Sequence, residues 1–82
     1  MRGVRYTTEA ARALKRHANV ASRIRDKVRQ YADDPTAQVN NVAALVDSPY
    51  KRLRVGDYRV IFEERQEEIV VIKIGPRGSV YE

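Results

Sequence analysis

The residues best suited to chemistry are arginines, a lysine and a tyrosine in the second half of the chain. Arg52, Arg54 and Arg59 stand within YKRLRVGDYRVIF, and Lys73, Arg77 and Tyr81 follow. Guanidinium groups fork onto phosphate oxygens and can stabilise the extra negative charge of a phosphoryl transition state. A phenol titrates at about 10 in water and lower beside cations. Tyr81 therefore suits a general base or a platform for stacking a nucleobase; a core or edge aromatic is the alternative. RNA brings its own nucleophile, the 2′-OH, so such a set requires neither a protein nucleophile nor a metal. The residue types point to RNA phosphate binding and leave cleavage open.

Other chemistries find less support. The single histidine, His17, falls in a helical region and reads as a surface residue. Asp33–Asp34 and Glu67–Glu68 read as a helix end and a turn tip, not as metal ligands. Gly56, Gly75 and Gly78 lack the spacing of a phosphate-binding or dinucleotide loop. With no cysteine in the chain, neither a disulfide framework nor a thiolate metal site is available. No cofactor and no metal are expected.

The elements that must position these cations can be read from apolar spacing. RGVRYT places Val4 and Tyr6 on one side at strand period. Thr7 or Thr8 then caps a helix with Glu9 in its first turn and an apolar face of Ala11, Leu14 and Ala18. Around HAN the pattern restarts, and Val20, Ile24, Val28 and Tyr31 form one face of a second helix that stops before Pro35. DDPTAQVNNVAALVDSP is a connector, pinned to the core by Val42, Ala43 and Leu45. Three strands follow, YKRLRV, YRVIFE and IVVIKI, with RQEE as a polar turn; the tail ends in a short possible strand. The order β-α-α-β-β-β argues a single α+β domain over residues 1–82. An N-terminal strand and an α-helical hairpin pack on a largely antiparallel β-sheet.

Hairpin register assigns faces. With Gly56-Asp57 as the central residues of a II′ turn, Val55 opposes Tyr58, Arg54 opposes Arg59, Leu53 opposes Val60 and Arg52 opposes Ile61. Leu53, Val55, Tyr58, Val60 and Phe62 then share the core face, and Arg52, Arg54 and Arg59 the other. A slip of one residue would reverse every assignment. A regular next hairpin pairs Val60 with Ile72 and Arg59 with Lys73, giving a row of Arg54, Arg59 and Lys73. Like charges directly opposite destabilise a sheet by up to about 1 kcal/mol, so the row reads as an anion site. The alternative is neutralisation by Asp57, Glu63 or Glu64, of which only Glu63 shares the face by parity. Arg59 and Arg77 are both expected to be exposed. Lys51 falls on the core side of its strand.

Net charge is +5 with a pI of about 9.9, which suits an anionic partner, either nucleic acid or an acidic protein. No apolar run approaches the roughly 20 residues of a membrane span. MRGVRYTTEA lacks the apolar core of a signal peptide, so a cytoplasmic protein is expected.

YKRLRVGDYRVIFE, followed by an apolar strand and IGPRGSVYE, resembles the RelE/ParE toxin superfamily, and its RelE branch in particular, over nearly the whole chain. The resemblance implies a RelE-like toxin of a type II toxin–antitoxin system. Such a toxin enters the ribosome and cleaves mRNA by 2′-OH attack, without a metal, and a cognate, acidic antitoxin neutralises it. Carried over by motif, Arg52, Arg59, Arg77 and Tyr81 take the catalytic positions and Arg54 is the second basic residue of RLR. Lys51 and Lys73 are further RNA-binding candidates. On the helices, Arg12, Lys15, Arg16 and Arg23 would meet ribosomal RNA phosphates or form a solvated face. One departure stands out: many relatives carry histidine where this chain has Pro76, and proline can neither transfer a proton nor donate a backbone N–H. The alternatives are a ParE-like toxin that inhibits DNA gyrase without catalysis and a degenerate toxin kept for antitoxin binding.

Overall fold

A computed structural model describes residues 2–79; Tyr81 lies outside them. Strand β1 (Gly3–Tyr6) leads into helices α1 (Thr8–Arg16) and α2 (Ala18–Asp33). A 3₁₀ segment (Pro35–Asn41) follows, then β2 (Val42–Ala44), β3 (Tyr50–Val55), β4 (Tyr58–Glu64) and β5 (Glu68–Pro76). The five strands form one sheet in the order β1-β5-β4-β3-β2. β1 runs parallel to β5, and every other pair is antiparallel. Among the described residues no helix is long and apolar enough to cross a membrane.

Thr7 does two jobs at the start of α1. Its Oγ1 accepts from Ala10 N–H at 3.2 Å and donates to Ile72 O at 3.0 Å, so the cap also ties the helix to β5. Glu9 in the first turn and Lys15 and Arg16 in the last complement the helix dipole. The buried face of α1 is Ala10, Ala13 and Leu14. Ala11 and Ala18, expected inside, are exposed: the small alanines of α1 mark its face poorly, and Ala18 lies beyond the end of α1, at the start of α2. α2 buries Val20, Ile24, Val28 and Tyr31, as its spacing requires, and Ala32 as well. These side chains close over Leu53, Val55, Val60, Phe62, Ile69, Val71 and Ile74 in one core.

The connector holds more structure than its composition suggests. Its first half is 3₁₀ helix, with Gln38 buried. Its second half adds β2 beside β3, pairing Val42 with Leu53. In the β3–β4 hairpin the pairs are Val55 with Tyr58, Arg54 with Arg59, Leu53 with Val60 and Arg52 with Ile61, as the turn chemistry demands. Gly56 has φ 58°, and Asp57 is not among the residues of positive φ, the pattern of a II′ turn.

The β4–β5 pairing departs from the regular one. The β4–β5 turn already sets the register one residue from the expected one, with Glu64 opposite Ile69, and a bulge between Ile61 and Phe62 then skips Ile72, so Val60 meets Ile74, Arg59 meets Gly75 and Ile61 meets Lys73. A bulge inserts one residue on one strand and resets the partners beyond it; spacing within a single strand carries no trace of it. It allows Phe62 and Val71 to share the helix-side core with Val60 and Ile74.

Candidate functional site

The face of the sheet away from the helices carries two short rows. One is Arg54, Arg59 and Gly75, and the other is Arg52, Ile61 and Lys73. The expected row of Arg54, Arg59 and Lys73 is thus corrected: Lys73 keeps the face and moves one row over. Ile61, 4% exposed, separates it from Arg52.

Arg59 is not the exposed side chain that parity suggests. It is 8% exposed, and its Nη1 donates to Gly56 O and Tyr58 O, both at 3.0 Å. Hydrogen bonds to a charged donor contribute about 1.5–3 kcal/mol each, enough to offset the repulsion of a facing arginine. Arg59 therefore folds over the turn while Arg54 stays exposed. Arg77 is exposed, and its backbone N–H donates to Asp57 O at 2.7 Å, which brings the chain after β5 against the same turn. From the helix side, Arg23 Nη1 lies 3.2 Å from where a Cβ on Gly56 would stand. Arg23, Arg54, Arg59 and Arg77 thus surround the Gly56-Asp57 tip.

The opposite end of the sheet is neutralised. Arg65 pairs with Glu63 at 2.8 Å and with Glu68 at 3.0 Å, and Arg5 pairs with Glu68 at 3.2 Å. On the helix side Lys51 Nζ meets Glu64 at 2.6 Å, the Tyr31 hydroxyl donates to the same carboxylate at 2.6 Å, and Arg2 joins them. Burial pushes the Glu64 carboxyl up; hydrogen bonds from Lys51, Tyr31 and Arg2 outweigh it and hold the group at about 2. Burial, and then Glu64, push the Tyr31 phenol well above its ordinary value. Lys51 is therefore held on the helix side, off the cationic face. Glu63 pairs with Arg65, and Glu64 with Lys51, Tyr31 and Arg2. Among the described residues, the ion pairs include none of Arg12, Lys15, Arg16, Arg23, Arg54, Arg59, Lys73 or Arg77. Arg12, Lys15, Arg16 and Arg23 are exposed on the helices.

Pro76 has a structural reason to be where it is. Because Arg77 N–H reaches Asp57 O, the flanking pair Tyr58–Pro76 is a non-hydrogen-bonded one. The nitrogen of Pro76 then faces away from β4, where an edge tolerates proline. β1 ends at Tyr6, opposite Val71, so among the described residues no strand pairs with this part of β5 on that side. Beside it lies a cleft of about 430 Å³, lined by Glu9, Arg16, His17, Lys73, Pro76 and Ser79 among others. His17 is half-buried rather than a surface side chain, and its Nδ1 stands 3.0 Å from the Tyr58 hydroxyl. Its one visible mark in the sequence is its place in the break between two helical runs.

A helical hairpin on one face of a five-stranded sheet is the fold of the RelE-like toxins. YafQ from E. coli strain BL21(DE3) superposes over 100% of both chains with a TM-score of 0.76 at 12% identity. RelE in the archaeal RelE–RelB complex from Pyrococcus horikoshii OT3 gives 0.74 over 95% of this chain and 97% of that one, at 24% identity. The YoeB/ParE toxin from Agrobacterium tumefaciens gives 0.71 over 92% and 98%, at 17%. No curated protein sequence matches. Residues 4–81 match the family described as ParE toxin of type II toxin-antitoxin system, parDE. The chain belongs to this family, within the RelE/ParE superfamily of toxins.

Proposed function

We propose that this toxin acts as an endoribonuclease on mRNA in the ribosome. The observation that supports the reading most is the segregation of charge. Cations at the Gly56-Asp57 end lack carboxylate partners among the described residues, while those at the other end are paired. Such a surface is prepared for phosphates. In this reading Arg54 and Arg77 contact the RNA backbone and Lys73 stands between the face and the neighbouring cleft. Arg52 shares the row of Lys73, and Arg59 holds the turn that carries the others. The reaction is attack of a 2′-OH on the adjacent phosphate, leaving a cyclic phosphate. The test is to add the purified protein to translating ribosomes and map mRNA ends by primer extension. New, discrete ends are expected; translational arrest with intact mRNA would exclude cleavage.

A second reading draws on the family description, which is that of the parDE toxin, and on Pro76, which transfers no proton. In it the same cations bind DNA gyrase and the protein is not an enzyme. A supercoiling assay separates the two, since gyrase inhibition with normal translation would establish this reading. Either way the neutralising partner is an antitoxin of opposite charge; RelE of Pyrococcus horikoshii is in complex with RelB and YafQ with DinJ. Co-expression with the protein encoded beside this one is expected to restore growth.

A further inference from the structure

Pro76 transfers no proton and Tyr81 lies outside the described residues; among the described residues the cleft beside Pro76 contains a group that can transfer one, His17. His17 is the only histidine among the 82 residues. It stands between α1 and α2 with φ −113° and ψ 50°, outside helical geometry. Tyr58 approaches it edge-on, ring centres 5.0 Å apart, with its hydroxyl 3.0 Å from Nδ1. A phenol hydroxyl both donates and accepts. When Tyr58 donates to Nδ1, Nε2 carries the imidazole proton; when it accepts from Nδ1–H, Nε2 offers a lone pair. One ring nitrogen is thereby held and the other is left for proton transfer.

The surroundings suit a nucleotide. The cleft volume, about 430 Å³, lies within the range of small-molecule pockets. The charged and titratable groups around His17 are Glu9 and Arg16 from α1, Tyr58 from β4 and Lys73 from β5, with the Ser79 hydroxyl at the end of the chain described. Among the described residues, two cations face a single carboxylate there. Lys73 also belongs to the cationic sheet face, through its pairing with Ile61, so the cleft and that face share a wall.

We propose that this cleft takes a ribonucleotide of the bound strand and that His17, positioned by Tyr58, accepts the proton of its 2′-OH. The inference rests on the endoribonuclease reading above. In the step, Nε2 takes the 2′-OH proton, the 2′-oxygen bonds to phosphorus and the P–O5′ bond breaks. The departing 5′-oxygen takes a proton from solvent, and His17 later returns its own to solvent. The products are a 2′,3′-cyclic phosphate and a 5′-hydroxyl. Arg16 and Lys73 meet the phosphate charge.

Two measurements test this. Titrating the wild-type protein with adenosine 3′-monophosphate while following the single set of imidazole resonances by NMR is expected to show a saturable shift. Lys73→Ala should abolish the shift. In translating ribosomes, His17→Gln is expected to slow cleavage at least about 100-fold and to remove the pH–rate limb of the base, with its urea midpoint kept. Tyr58→Phe, which retains the ring packing, should slow cleavage less and displace the same limb; it carries the test should His17→Gln not fold. Wild-type cleavage and pH profile in both variants would overturn the role of His17 and leave the endoribonuclease reading standing. Absence of cleavage by the wild type would overturn that reading and the proton transfer together. An imidazole unmoved by nucleotide would overturn the site itself.

Discussion

Arg59 and Arg77 look alike in the sequence and differ in the fold. Arg59 is buried and gives two hydrogen bonds to the carbonyls of Gly56 and Tyr58. Arg59→Ala removes both and is expected to lower stability by about 2–4 kcal/mol, read from the urea midpoint, so loss of toxicity in it would not by itself report phosphate binding. Arg77 contributes only its backbone N–H to the turn. Arg77→Ala should leave stability within about 0.5 kcal/mol while weakening the anion site. Glu64 gives a further residue-scale expectation. Its carboxyl sits at about 2, below the ordinary 4.5. A depressed carboxylate contributes stability that is present above the unfolded value and lost as pH falls through the folded one. Acid unfolding should therefore steepen between those values, and Glu64→Gln should flatten that part of the curve.

The β3–β4 hairpin is the element that builds the site, and its tip is intolerant of a side chain. Gly56 has φ 58°, and an added Cβ would stand 3.2 Å from Arg23 Nη1. The left-handed conformation alone makes Gly56→Ala unfavourable by roughly 1–2 kcal/mol, and displacement of Arg23 adds to it. A lowered urea midpoint together with weaker RNA binding is expected, since the turn and the cations around it move as one. The helical hairpin depends similarly on Thr7. Its hydroxyl both caps α1 and binds Ile72 O, so Thr7→Ala should cost about 1–2 kcal/mol, measured in the same way.

At the scale of the molecule, charge is divided by the sheet. Carboxylates cluster near the β4–β5 turn and neutralise Arg5 and Arg65, while the Gly56 end keeps its cations. Binding to single-stranded RNA should fall with salt. Arg54→Ala, Arg77→Ala and Lys73→Ala should each reduce the slope of log K against log salt by about 0.7. Arg65→Ala should leave the slope unchanged. Equal effects from all four would mean that binding spreads over the whole surface and that the Gly56 end is not a site.

Much of this was legible in the chain. A Gly-Asp turn between alternating runs specifies the β3–β4 register, because side chains alternate strictly and only one register puts Leu53, Val55, Val60 and Phe62 together. The four-residue steps of Val20, Ile24, Val28 and Tyr31 specify the buried face of α2 for the same kind of reason. These are local periodicities, and the sequence by itself determines them, together with the excess of arginine over its partners. Contacts between segments distant in the chain belong to the tertiary structure. The β4–β5 turn and the bulge at Ile61/Phe62 together relocate Lys73, β1 joins β5 in parallel, and β2 forms only where β3 offers an edge. Arg59 turns inward because two carbonyls of the turn stand within its reach. His17 and Tyr58, 41 positions apart, meet only once the helical hairpin has closed over the sheet. Their partners are chosen by packing in three dimensions, which no period along the chain encodes.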